Sequence, residues 1–175
     1  NIAARGNRIY SSIDKELQEK VNNVVLRSRH KLYGMGIRNA ACLVTEVKSG
    51  NILAYVGNIR NQDHPEYGGD VDIIPSARSS GSILKPLLYA MMQYRGDILP
   101  QTIIGDIPTR FGNYCPKNYE KSYDGIVTAS AALARSLNVP AVRMLHKYGN
   151  ERFLNDLREM GMTTLDKPGD YYGLS

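Results

Sequence analysis

Residues 78–86 read Arg-Ser-Ser-Gly-Ser-Ile-Leu-Lys-Pro, and they lead from a polar loop into an apolar helix. The helix is indicated by apolar residues at helical spacing, namely Leu84, Leu87, Leu88, Met91 and Met92, and Gly96 ends it. We predict a buried helix over residues 82–95, because apolar residues cover much of its circumference. Ser82 and Lys85 lie three residues apart at its start and share one face. Pro86 in the first turn favours a tight 3₁₀-like start.

The hydroxyl of Ser82 and the amine of Lys85 are the chemical groups of a nucleophile and its base. A serine becomes nucleophilic when a base takes its proton, and a lysine acts as a base when burial or a neighbouring cation lowers its pKa. Backbone N–H groups at the helix start can also stabilise a developing oxyanion. A structural role stays open, because Ser82 also suits a helix cap. The Ser-x-x-Lys spacing by itself is not specific, since it recurs at residues 12–15 and 28–31.

The triplet Ser136-Leu137-Asn138 lies at the junction of two predicted helices. A small-residue helix follows Thr128, its predicted cap, and ends near Asn138, since Pro140 suits the first turn of a new helix. Such a corner can present a hydroxyl and an amide to a cleft, where a Ser-Lys pair needs a proton relay and a substrate-holding group. A structural role for Asn138 as a helix terminator, with Ser136 in the last turn, explains the same residues.

The rest of the chain alternates between regular elements and two long loops. A strand at residues 8–13 precedes a helix capped by Asp14, with an apolar stripe formed by Leu17, Val21, Val24, Ser28 and Leu32. A β-hairpin is predicted over 40–57, with Gly50 in its turn. Residues 57–80 and 100–125 are predicted loops, and Asn150 is the predicted cap of a last helix.

Composition excludes several classes of protein. The 175 residues are 42% hydrophobic and 22% charged, which is ordinary for one globular domain and excludes disorder. No apolar run approaches the ~20 residues of a membrane helix. The net charge of +5 is scattered along the chain, so we expect no nucleic-acid partner. Two cysteines and three separated histidines form no ligand spacing, and we expect neither a metal nor a cofactor.

Three stretches resemble the transpeptidase domain of class A penicillin-binding proteins, most closely the 1C type. They are residues 78–86, residues 108–119 (Pro-Thr-Arg-Phe-Gly-Asn-Tyr-Cys-Pro-Lys-Asn-Tyr) and residues 134–143 (Ala-Arg-Ser-Leu-Asn-Val-Pro-Ala-Val-Arg). Ser-x-x-Lys followed by Ser-x-Asn is shared by penicillin-binding proteins and serine β-lactamases. The resemblance implies an α+β fold in which an antiparallel sheet carries the N-terminal hairpin 40–57, with a nucleophile helix at 82–95 and a helical subdomain at 126–161.

The resemblance also implies a role for each matched residue. Ser82 would attack the D-Ala-D-Ala bond of a peptidoglycan stem peptide and form an acyl-enzyme, with Lys85 as its base. Ser136 would relay the proton, and Asn138 would orient the peptide. β-Lactam antibiotics would acylate the same serine. The family works in the periplasm, on the outer face of the inner membrane, anchored by an N-terminal helix and preceded by a glycosyltransferase domain.

The third motif of the family, Lys-Thr/Ser-Gly on a strand beside the cleft, does not follow Ser136-Leu137-Asn138 in the sequence, and Lys48-Ser49-Gly50 joins the two strands of the predicted hairpin. Lys167-Pro168-Gly169 approximates it, but proline cannot donate a ladder hydrogen bond, so we reject this match. We therefore expect residues 1–175 to be a partial domain, incomplete at the C-terminus, and weakly active or inactive alone. An open edge of the incomplete sheet predicts a homodimer or another cover for that edge.

Two other functions remain open from the sequence. One is a non-catalytic module that binds peptidoglycan or acts as a scaffold, which the missing third motif favours. The other is a Ser-Lys peptidase of different specificity, because a Ser-Lys pair by itself does not select D-amino acids.

Overall fold

The structure is a computed structural model that describes residues 2–5, 8–61 and 64–172. The chain divides into two compact units, Asn1–Arg78 and Ser79–Ser175. The sequence predicted a single partial domain, and the division falls immediately before the serine-rich stretch that leads into the predicted nucleophile helix. Both units combine helical segments with two-stranded antiparallel sheets, two such sheets in the first unit and one in the second, which confirms the α+β class.

The first unit is built from two strand pairs and one long helix. Its elements are β1 (Ile2–Arg5), β2 (Arg8–Ser11), α1 (Lys15–Gly34), β3 (Cys42–Thr45) and β4 (Ile52–Val56). Strand β1 pairs antiparallel with β2, and β3 pairs antiparallel with β4. The hairpin predicted over 40–57 is therefore present, with Gly50 at a φ of +69° in its turn, where a residue without Cβ is favoured.

Helix α1 begins as predicted, because the Asp14 carboxylate accepts the backbone N–H of Leu17 at 2.7 Å. Its apolar stripe is only half-buried. Val24, which we assigned to that stripe, is 62% exposed, and its neighbour Val25 is half-buried instead. The predicted stripe was therefore wrong by one residue at this turn.

The outer edge of β4 is covered by the segment that leads into α1. The Gln18 amide donates to Tyr55 O and accepts from Tyr55 N, while Ser12 Oγ donates to Ile52 O. The Asp14 backbone N–H donates to Leu53 O. These bonds satisfy edge groups that would otherwise invite another strand. A homodimer through the remaining edge, that of β3, stays a prediction.

The second unit contains a strand pair and most of the helices. Its elements are α2 (Lys85–Tyr94), β5 (Ile103–Asp106), β6 (Gly125–Thr128), α3 (Ala129–Ala134), α4 (Asn138–Tyr148), α5 (Asn150–Glu159) and α6 (Gly169–Tyr172). Its core contains Leu88, Tyr89, Met92, Ile98, Ile104, Val127, Ala132, Met144, Phe153 and Leu157. Helix α2 buries one face, where Leu88, Tyr89 and Met92 are enclosed, whereas Tyr94 is 86% exposed. The prediction of a buried helix is therefore confirmed for that face only.

The loop predicted over 100–125 was wrong at both ends. Strands β5 and β6 pair antiparallel there, with Asp106 opposite Gly125. The inward positions of β5 are Ile104 and Asp106, and both are buried. Strands are predicted from alternating apolar and polar residues, and a buried acid at an inward position interrupts that pattern. The predicted helical subdomain at 126–161 accordingly begins with a strand.

The caps of the later helices were predicted in part. The Thr128 hydroxyl accepts the N–H of Ala131 at 3.2 Å and caps α3, as expected. Asn150 is not a cap: Gly149 holds that position, and the buried Asn150 amide oxygen has no hydrogen-bond partner among the described residues. Lys167-Pro168-Gly169 leads into the short helix α6 rather than a strand, and Gly169 N–H donates to the Glu151 carboxylate.

Candidate active site

A 3₁₀ turn at Gly81–Leu84 runs directly into helix α2. The Lys85 backbone N–H donates to Ser82 O, and Pro86, which has no N–H, lies in the first turn. The tight start predicted from Pro86 is therefore present. It places Ser82 and Lys85 on the same side of the chain, where both line one cleft of about 360 Å³.

The cleft has a polar rim and an apolar wall. Ser80, Gly81, Ser82, Lys85 and Asn138 contribute polar groups to its lining. The apolar wall is formed by Leu84, Leu88, Val142, Leu145 and Phe153. Ser82 is exposed and therefore open to a substrate. Pockets that bind small molecules or peptides usually have this lining, a largely apolar surface with a few polar groups.

The amine of Lys85 is held by the corner between α3 and α4. Lys85 Nζ donates to Asn138 Oδ1 at 2.6 Å, to Ser136 O at 2.7 Å and to Ser136 Oγ at 3.2 Å. The structure thus brings together Lys85, Ser136 and Asn138, which are 51 and 53 residues apart in sequence. Burial of the amine lowers the pKa of Lys85, because desolvation disfavours the charged form.

Ser82 shares the cleft but not this set of hydrogen bonds. Within residues 2–5, 8–61 and 64–172, no hydrogen bond joins Ser82 Oγ to Lys85 Nζ. In the structure, the lysine therefore contacts the corner and leaves the serine hydroxyl exposed. A direct Ser82–Lys85 contact remains a prediction from the sequence.

The corner itself has an unusual backbone. Helix α3 ends at Ala134, earlier than predicted, and Ser136 adopts a φ of +53°, a left-handed conformation that is costly for a residue with a Cβ. Leu137 follows with its side chain buried in the core, and α4 begins at Asn138. This backbone turns both Ser136 O and Ser136 Oγ toward the lysine.

The amino-acid sequence matches a known family along most of its length. Residues 40–175 match the family described as "Penicillin binding protein transpeptidase domain". The chain belongs to this family. The membership confirms the resemblance read from the Ser-x-x-Lys and Ser-x-Asn stretches.

Class A penicillin-binding proteins are among the relatives of this transpeptidase-family chain. Penicillin-binding protein 1C of Escherichia coli is 32% identical over 159 residues, covering 91% of this chain and 20% of that protein. Penicillin-binding protein 1A of Aquifex aeolicus is 33% identical over 135 residues, covering 74% of this chain and 18% of that protein. The chain thus spans about a fifth of the length of these relatives.

Solved structures of the same family share the fold. PonA1 of Mycobacterium tuberculosis in complex with penicillin V gives a TM-score of 0.71 at 20% identity, covering 91% of this chain and 40% of that one. The transpeptidase domain of penicillin-binding protein 3 from Burkholderia pseudomallei gives 0.70 at 20% identity, covering 95% and 47%.

Sequence reasoning missed two buried polar residues behind the corner of this transpeptidase domain. Asn118 is 5% exposed and accepts the backbone N–H groups of Asn138 and Val139, and Asp106 is fully buried beside it. The only sequence signal was a pair of polar residues within a stretch read as a loop. In the described ranges, no group of three His, Cys, Asp or Glu residues has the arrangement of a metal site.

The left-handed backbone at Ser136 predicts an unusual order of stability. We expect Ser136→Gly to be more stable than Ser136→Val by about 1–2 kcal/mol, because a β-branched residue is strained at positive φ. At exposed Ser130, inside α3, the order should reverse, since glycine costs more than valine in a helix. Urea denaturation of the four variants measures this. Equal or greater stability of Ser136→Val would contradict the conformation at the corner.

Proposed function

We propose that this chain carries the nucleophile half of a serine DD-transpeptidase site that acts on D-Ala-D-Ala stem peptides of peptidoglycan. The observation that supports this most is the convergence of Lys85, Ser136 and Asn138 on the cleft that Ser82 lines. Membership of the transpeptidase family supports the same assignment. Cell-wall cross-linking is the reaction that follows from it.

Lys85 is the proposed base. Because burial lowers its pKa, more of the amine is neutral near pH 7 than for an exposed lysine. A neutral amine has two N–H donors and one lone pair. The two shortest contacts, to Asn138 Oδ1 and Ser136 O, use the donors, and the lone pair is left to accept a proton from a hydroxyl.

Acyl transfer then proceeds in two balanced steps. Ser82 Oγ forms a bond to the carbonyl carbon of the penultimate D-alanine, and its proton passes to Lys85 Nζ. Ser136 Oγ, within 3.2 Å of that nitrogen, relays a proton to the leaving amine as the C–N bond breaks. The amine of a second stem peptide, or water, then attacks the acyl carbon, and its proton passes through Ser136 Oγ and Lys85 Nζ to Ser82 Oγ as the ester C–O bond breaks. Asn138 orients the donor peptide through its amide.

β-Lactams are the proposed inhibitors, since a strained cyclic amide presents the same carbonyl to Ser82. The PonA1 structure, which contains penicillin V, supports this by its shared fold. We place the site on the periplasmic side of the inner membrane, in a protein that also carries a membrane anchor and a glycosyltransferase domain. Of the helices that the structure describes, none is long and apolar enough to cross a bilayer.

Acylation of the 175-residue chain should be slow. After Ser136-Leu137-Asn138 the sequence contains no Lys-Thr-Gly or Lys-Ser-Gly triplet, and Lys48-Ser49-Gly50 lies in the turn between β3 and β4. In the family, the strand that carries the third motif supplies an oxyanion donor. Loss of one such donor costs ~10²–10³ in rate.

Covalent labelling tests the nucleophile. We expect the chain, incubated for hours with a fluorescent penicillin, to gain one adduct by intact mass, and peptide mapping to place it on Ser82. Ser82→Ala should abolish the adduct. Ser28→Ala is the matched control, because Ser28 also precedes a lysine by three residues but donates to Val24 O on helix α1. An adduct that persists in Ser82→Ala would exclude Ser82, and a chain that binds peptidoglycan without any adduct would favour a non-catalytic module.

The pH dependence of labelling tests the base. Since burial lowers the pKa of Lys85, the neutral fraction rises with pH through a midpoint below the ordinary lysine value. We expect the rate of Ser82 labelling to follow that rise, after correction for penicillin hydrolysis measured with Ser82→Ala. Lys85→Arg should remove the rise and slow labelling by about 10²–10⁴. Lys31→Arg, which pairs with the control serine, should leave the profile unchanged; a flat wild-type profile would contradict Lys85 as base.

A further inference from the structure

Helix α4 begins without a side-chain cap of its own. Leu137 holds the cap position, and its side chain is apolar and buried. The first backbone N–H groups of a helix have no partner inside the helix. Leu137 N–H donates to Ala132 O, and Pro140 has none, so the N–H groups of Asn138 and Val139 require outside acceptors. Val139 is completely buried and cannot use water.

Asn118 provides that acceptor from the loop between β5 and β6. Its Oδ1 accepts Asn138 N–H at 3.0 Å and Val139 N–H at 3.1 Å. One side chain twenty residues earlier therefore caps the helix whose first residue holds the lysine. A buried N–H left without an acceptor would lose its hydrogen bonds to water and gain nothing in return, so this cap is needed.

Asp106 fixes which way the Asn118 amide points. Asn118 Nδ2 donates to Asp106 Oδ1 at 2.8 Å and to Ser122 O at 2.9 Å, so only Oδ1 is left to face α4. The other Asp106 oxygen accepts Asp124 N–H at 2.9 Å. Asp106 is completely buried, and these contacts satisfy both of its oxygens.

The neighbouring residue holds the side chain of Asn138. Asn138 Nδ2 donates to Lys117 O at 3.0 Å, which leaves Oδ1 directed at Lys85 Nζ. Residues 117 and 118 thus hold both the backbone and the amide of Asn138. A displacement of 1 Å at a catalytic group can cost about 10² in rate.

We propose that Asn118, oriented by Asp106, is a positioning residue that aims the Asn138 amide at Lys85. It touches neither Ser82 nor the cleft, and it acts through the start of α4. This role rests on the proposed function for its effect on catalysis, but its effect on Asn138 can be observed without any substrate.

The donor and acceptor of the Asn118–Asp106 pair can be exchanged. Asn118→Asp alone places two carboxylates next to each other. Asp106→Asn alone replaces one acceptor oxygen by an NH₂ group, which then faces either the Asn118 NH₂ group or the Asp124 N–H. The double variant Asn118→Asp/Asp106→Asn restores every contact of the pair except the one to Ser122 O. Asp156→Asn is the matched control, because Asp156 is 4% exposed and bonds Arg95 and Tyr148 away from the cleft.

Two readouts separate positioning from general stability. The ¹H–¹⁵N resonances of the Asn138 side-chain amide, assigned with Asn138→Asp, report its geometry well below the melting temperature. The rate of Ser82 acylation at saturating penicillin reports the reacting geometry. We expect each single variant to move the amide resonances and to slow acylation by roughly 10- to 100-fold, and the double variant to reverse both. Asp156→Asn should lower Tm and change neither the Asn138 amide resonances nor the acylation rate.

Single variants that lower Tm as Asp156→Asn does, with unchanged resonances and rate, would overturn the proposal. A double variant that restores nothing would overturn the role of Asp106. Should a single variant not fold, hydrogen exchange in the wild type decides: the Asn138 and Val139 amides must be protected, and exchange at the rate of open amides refutes the cap. Wild-type chain that is never acylated at Ser82 counts against the proposed function, while the resonances still test the positioning.

Discussion

The half-buried amine of Lys85 requires oxygen atoms around it, and the fold takes them from a corner more than fifty residues away. An amine that loses water without gaining acceptors is costly to bury. Helix α2 places Lys85 in the cleft that Ser82 also lines, and the start of α4 supplies Asn138. The same burial that makes acceptors necessary lowers the pKa of the lysine. Stability and the proposed chemistry at this site therefore depend on one set of contacts.

The corner is held from three directions. Leu137 is buried in the core, Asn118 caps the helix behind it, and Lys117 O fixes the amide of Asn138. Such support is needed because Ser136 has a left-handed backbone that an isolated chain avoids. Rigid placement of this kind is what a site needs when the groups that form it come from distant elements.

Helix caps and turns that depend on neighbouring residues could be predicted from the sequence, but contacts between distant residues could not. The caps at Asp14 and Thr128 and the 3₁₀ start before α2 follow from nearby residues, and the structure confirms them. Strand β5 was missed because buried Asp106 interrupts its apolar pattern. The contact between Lys85 and Ser136 joins residues 51 apart, and no local spacing encodes it. Before the structure, only the family resemblance implied that these residues belong to one site.

A double-mutant cycle between Lys85 and Asn138 tests the central contact most directly. The free energy of unfolding is measured for Lys85→Met, for Asn138→Leu, for both together and for the wild type. A buried hydrogen-bonded pair predicts a coupling of about 1 kcal/mol or more, because either single change leaves its partner unsatisfied. Lys85→Met combined with Ser130→Ala, which share no contact, should show additivity. Additive effects for Lys85 and Asn138, within about 0.3 kcal/mol, would contradict the contact on which the site depends.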